Sequence, residues 1–127
     1  MKLKFQLYCG DEIAMGPGKA DLLDAIIQTG SISAAGRQMG MSYRRTWLLV
    51  DTMNRCWEGP LVETATGGKQ GGGALVTPLG RELLAAYRRL ETEIDALGHG
   101  ATAKAMVARL AHEPRPARHL PARDARA

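Results

Sequence analysis

Arg44 and Arg45 stand side by side, directly after Ser42 and Tyr43 and shortly before Leu48. An arginine pair near the start of a helix suits two chemistries. Guanidinium can bond guanine bidentately in a major groove, or it can neutralise a phosphate. The bland alternative, a solvated helix face, loses ground to the pattern around the pair. Arg37 and Arg55 flank it as phosphate contacts or plain surface. A second cationic site is Lys69-Gln70, set among five glycines in GGKQGGG. Without Cβ atoms such a backbone can approach phosphates or a minor groove, while Lys69 supplies charge and Gln70 an amide.

The remaining reactive side chains are sparse. Cys9 and Cys56 form neither a disulfide framework nor a CxxC zinc pattern. Cys9 is expected to be a small buried hydrophobe and Cys56 a helix-end residue, both reduced. His99, His112 and His119 lack ligand spacing. Gly16-Pro17-Gly18-Lys19 lacks the rest of a phosphate-binding loop and is expected to be a turn. With no nucleophile–base pair, metal cluster or phosphate cradle, no enzyme activity, cofactor or metal is expected.

The elements that must position these residues follow from periodicity. Residues 2–8 alternate polar and apolar and predict a strand with Leu3, Phe5 and Leu7 on one face. Residues 10–18 predict a connecting turn. Residues 19–29 predict a helix with Leu23, Ile26 and Ile27 inward and Asp21 and Asp24 near its positive end. Ser33 is expected to cap a short second helix that stops at Gly40, with Ala34 and Ala35 at a close crossing. Ser42 is expected to cap a third helix, about Tyr43 to Cys56, with Thr46, Leu49, Val50, Met53 and Trp57 inward. Residues 61–76 predict a β-hairpin around the glycine-rich tip.

Thr77-Pro78 is a sound helix entry. The helix after it carries Leu79, Leu83, Tyr87, Leu90, Ile94 and Leu97 in a near-heptad seam. Leu83, Tyr87, Leu90, Ile94 and Leu97 are therefore expected to pair two copies of the chain. After Gly98-His99-Gly100, residues 101–111 predict one more short helix, and the Pro/Arg/Ala-rich remainder is expected to lack order.

Composition agrees with this outline. The 127 residues fit one domain plus a small appendage, placed at 1–100 and 101–127. Net charge is +4, compatible with nucleic acid without proving it. The start of the chain lacks the apolar run of a signal peptide, and no stretch is long enough for a membrane span. A cytoplasmic location follows as an expectation, with no membrane partner.

Together the elements predict a mostly α fold with a small β-hairpin: a winged helix-turn-helix with a long C-terminal dimerisation helix. Residues 29–90 also resemble the N-terminal DNA-binding domain of the ModE family of molybdate-responsive regulators. The resemblance rests on GSIS, GMSYR, Trp47, Met53-Asn54, LVETATGGK, GGGA and VTPLG in that order. GSIS and MSYR are also similar to the helix-turn-helix of LysR-type regulators. The resemblance implies a homodimer bound to double-stranded DNA through Ser42, Tyr43, Arg44, Arg45 and the wing residues Lys69 and Gln70. ModE proteins continue into molybdate-binding domains, where this chain has its Pro/Arg tail, so molybdate binding by this chain is not expected. The other function considered is a winged-helix protein-interaction module without sequence-specific DNA binding.

Overall fold

The computed structural model describes residues 1–65 and 73–118. The chain opens with a hairpin of β1 (Leu7–Cys9) and β2 (Glu12–Met15). Its register pairs Leu7 with Met15, Tyr8 with Ile13 and Cys9 with Glu12, with an irregularity between Leu7 and Tyr8. The strand predicted over 2–8 therefore starts later, and the predicted connecting turn is itself a strand. The physical reason is Gly10, whose φ of 60° reverses the chain and lets Ala14 and Met15 pair back into buried positions. Leu3 and Leu7 stay exposed, while Phe5 packs against the core. Cys9 is exposed rather than buried.

Helix α1 runs from Pro17 to Thr29, two residues earlier than predicted, because Pro17 takes the first helical position. Asp21 and Asp24 consequently lie beyond the first turn and do not act on the helix dipole. Instead Arg88 Nη2 donates to both carboxylates, at 2.8 and 2.7 Å. Helix α2 spans Ile32–Gln38 and is capped by Ser31, not Ser33. Ser31 has the extended backbone a cap requires, and its Oγ accepts from Ala34 N at 3.1 Å. Gly40, at φ 72°, then turns the chain into α3, Tyr43–Cys56. Thr46, Val50 and Met53 face inward from α3, with Leu49 half-buried beside them. Trp57, expected in the core, sits half-buried after the last turn, with Nε1 donating to Ala14 O at 3.0 Å.

Strands β3 (Val62–Ala65) and β4 (Gly73–Val76) form the predicted second hairpin, in register from Val62↔Val76 to Ala65↔Gly73. Thr77 Oγ1 accepts from Gly80 N at 3.0 Å and starts α4, Pro78–Leu97. A short α5, Ala101–Val107, follows. The core gathers Met15, Leu22, Leu23, Ile26, Met53, Leu61 and Val76 from several elements and one loop. Among the described residues no helix is long and apolar enough to cross a membrane.

Tyr87 belongs to that core. It is 3% exposed, its ring stacks on Phe5 with centroids 4.4 Å apart, and its hydroxyl donates to Phe5 O at 2.8 Å. This contact ties the first residues of the chain to α4. Tyr87→Phe keeps the stacking but strands the Phe5 carbonyl, so unfolding free energy should fall by about 1 kcal/mol in urea titration. An unchanged midpoint would show that water replaces the hydroxyl at no cost.

Candidate nucleic-acid interface

A helix that enters a groove must expose its first turns while its opposite side anchors the fold. Helix α3 meets both conditions. Ser42 Oγ accepts from Arg45 N at 3.1 Å and Thr46 Oγ1 donates to Ser42 O at 2.8 Å, so the first turn is held from within. Thr46 is fully buried, whereas Ser42, Tyr43, Arg44, Arg45 and Leu48 are all exposed. Among the described residues no ion pair engages Arg44, Arg45 or Arg37. Tyr43, 67% exposed, lies one turn before Trp47, with ring centroids 6.1 Å apart. The outward edge of α3 therefore presents two cations, two aromatic rings and an apolar side chain together.

Arg37 is exposed in the last turn of α2. Arg55 is placed differently. Its Nη1 and Nη2 donate to the Glu12 carboxylate at 2.7 and 3.1 Å, and Nε donates to Asp51 at 2.9 Å. Those bonds hold the Arg55 guanidinium above its ordinary basicity and Glu12 below the usual carboxylate range. Arg55 is thus paired with two carboxylates of its own chain, and its side chain stays about half exposed.

The second hairpin is tied to the helix-turn-helix at two points. Ala74 N donates to Gly30 O at 2.9 Å, beside the turn between α1 and α2. Thr77 N donates to Leu61 O at 2.9 Å and closes the base of the hairpin itself. Asn54 on α3 supplies the second tie. Its Nδ2 donates to Val62 O at 2.9 Å, and its Oδ1 accepts from Leu61 N at 2.8 Å and Val62 N at 3.0 Å. Residue patterns alone did not assign Asn54 this part. The available signal was a residue poorly suited to a helix interior, seven positions before the hairpin. The tip residues Lys69 and Gln70 lie outside the described residues.

The close crossing of α2 and α3 also differs in detail from the expectation. Ala35 and Gly36 are buried there, while Ala34 is only half-buried. A Cβ on Gly36 would run into Thr46, whose own Cβ would be 2.9 Å away.

Of the seam on α4, Tyr87 is buried within its own chain and Leu83 and Ile94 are half-buried. Leu90 and Leu97 are 36% and 71% exposed. Leu84, absent from the predicted seam, is buried.

The order α1, α2, α3, hairpin, α4, with a capped and exposed α3, defines a winged helix-turn-helix domain. The sequence comparisons then narrow the class. The chain is 48% identical over 83 residues to the molybdenum-pterin-binding protein MopB of Rhodobacter capsulatus, covering 65% of this chain and 31% of that protein. It is 44% identical over 71 residues to the DNA-binding transcriptional dual regulator ModE of Escherichia coli K12, covering 56% of this chain and 27% of that protein. The resemblance to ModE-type regulators drawn from residues 29–90 is borne out by these homologues. The chain spans less than a third of the length of either relative. No family model matches. A solved structure, the CbnR_DBD–DNA complex, aligns over 72% of this chain and 97% of that one, at TM-score 0.49 and 17% identity.

Proposed function

We propose that this chain is a sequence-specific DNA-binding transcription regulator of the ModE-like type, acting as a homodimer. Its α3 enters a major groove and the glycine-rich hairpin serves as a wing. The observation that carries the reading is the exposed Arg44–Arg45 edge on the capped first turn of α3. Arg44, Arg45, Ser42 and Tyr43 meet bases or backbone, Leu48 meets the groove wall, and Arg37 neutralises phosphate. Lys69 and Gln70 extend the contact from the wing. For pairing, Leu7, Trp57, Leu83 and Leu90 line a shallow apolar hollow, and Leu90 and Leu97 project from α4. Exposed apolar side chains on a long helix suit a two-fold interface. Domain roles divide as 1–100 for binding and pairing and 101–127 as an appendage.

The test is a mobility-shift titration of the full chain against a duplex recovered by genomic selection. Arg44→Ala is expected to weaken binding by about 5- to 150-fold, the range for one good base contact. Arg44→Ala/Arg45→Ala should weaken it further and flatten the salt dependence by about one unit of slope for each phosphate left unneutralised. Unchanged affinity in the double variant, or equal affinity of the parent chain for every duplex, overturns the proposal. Intact biological activity in the double variant would favour the protein-interaction alternative.

A further inference from the structure

The proposed interface makes no use of either thiol, and the sequence leaves the two cysteines far apart. The fold brings them together. Cys9 ends β1 and pairs directly across from Glu12 on β2. Residues directly opposite in an antiparallel pair project to the same side. On that side the Glu12 carboxylate is held by Arg55, the residue before Cys56 in the last turn of α3. Trp57, the residue after Cys56, donates to Ala14 O, two positions along β2 from Glu12. Arg55 and Trp57 therefore clamp the first hairpin from either side of Cys56. Cys9 and Cys56 thus both lie at the seam where the end of α3 docks on the first hairpin. Cys9 is exposed and Cys56 is half-buried.

We propose that Cys9 and Cys56 form a peroxide-reactive thiol pair that closes an intramolecular disulfide, stapling the first hairpin to the end of α3.

The chemistry balances with hydrogen peroxide as the oxidant. The exposed Cys9 sulfur attacks one peroxide oxygen; an S–O bond forms, the O–O bond breaks, and the departing oxygen leaves as water. The Cys56 sulfur then attacks the Cys9 sulfenic sulfur; the S–S bond forms, the S–O bond breaks, and hydroxide leaves as a second water with the Cys56 proton. Two thiols lose two electrons and two protons, and the peroxide takes up both. Burial pushes the Cys56 thiol above its ordinary value, its contact with Cys9 adds to that, and the Arg55 charge opposes both. That suits Cys56 to the resolving role, with the accessible Cys9 oxidised first.

The staple is tested on the full chain, with hydrogen peroxide as the probe and intact mass and free-thiol titration as readouts. The folded chain is expected to lose both thiols together and about 2 Da in mass. Proteolysis should yield one linked peptide pair holding Cys9 and Cys56, and dithiothreitol should restore both thiols. Closure should be at least about tenfold faster in the folded chain than in the same chain unfolded in urea, because the fold supplies the proximity. Cys9→Ser and Cys56→Ser should each abolish the paired loss. The remaining thiol should then gain about 16 or 32 Da as oxygen is added. Independent oxygen addition at both cysteines of the parent chain, a link between chains, or equal closure rates folded and unfolded would each overturn the proposal.

Discussion

Gly36→Val is expected to lower unfolding free energy by about 4 kcal/mol, the upper range for overpacking a buried contact. At an exposed helix position, replacing glycine by alanine gains up to about 1 kcal/mol from helix propensity. Here even Gly36→Ala should lose about 2 kcal/mol, because its new Cβ must displace Thr46. Thr46 has little freedom to yield. It is fully buried, and its hydroxyl is bonded to Ser42 O, which also accepts the first backbone bond of α3. Pushing α2 away from α3 would therefore tilt the turn that bears Arg44 and Arg45. Urea unfolding of both variants and of Gly36→Ala/Thr46→Ala measures the effect. Removing the Thr46 hydroxyl and methyl frees part of the space, so the double variant should cost less than the sum of the singles. A stabilised Gly36→Ala would refute the close crossing.

The second large effect is expected at Asn54. Asn54→Ala would leave the Leu61 and Val62 N–H groups and the Val62 carbonyl without their partners. Leu61 and Val62 are almost entirely buried, so water can replace these bonds only in part. A loss of roughly 3–5 kcal/mol follows from three such groups. Asn54→Asp retains both accepting bonds, but it sets a carboxylate oxygen against the Val62 carbonyl, so it should cost about half as much. Hydrogen exchange supplies a local readout. Amides of β3 and β4 should lose protection in Asn54→Ala well before those of α1, since Asn54 ties the hairpin to α3. Equal stability of the alanine and aspartate variants would show that the two accepting bonds contribute nothing.

Much of the fold can be read from local rules. Ser42 and Thr77 act as the caps their positions predict, because a cap depends only on a short side chain reaching the backbone three residues on. The inner face of α3 also follows from spacing: Thr46, Val50 and Met53 are buried where a 3.6-residue period places them. Local rules fail where two answers are close in energy. Ser31 and Ser33 are equally good caps by type, and the geometry of the turn after Gly30 selects Ser31. Asp21 and Asp24 suit a helix start, but Arg88, remote in sequence, claims them both.

The chain by itself therefore determined the helices, the second hairpin and the exposed arginine edge, since each depends on periodicity and capping within a few residues. Tertiary structure alone decided the early hairpin's docking, the pairing of Arg55 with Glu12 and the burial of Tyr87 against Phe5. It alone also decided the meeting of Cys9 with Cys56. Those contacts join residues far apart in the chain, and no local pattern encodes which distant partner arrives once the core has closed.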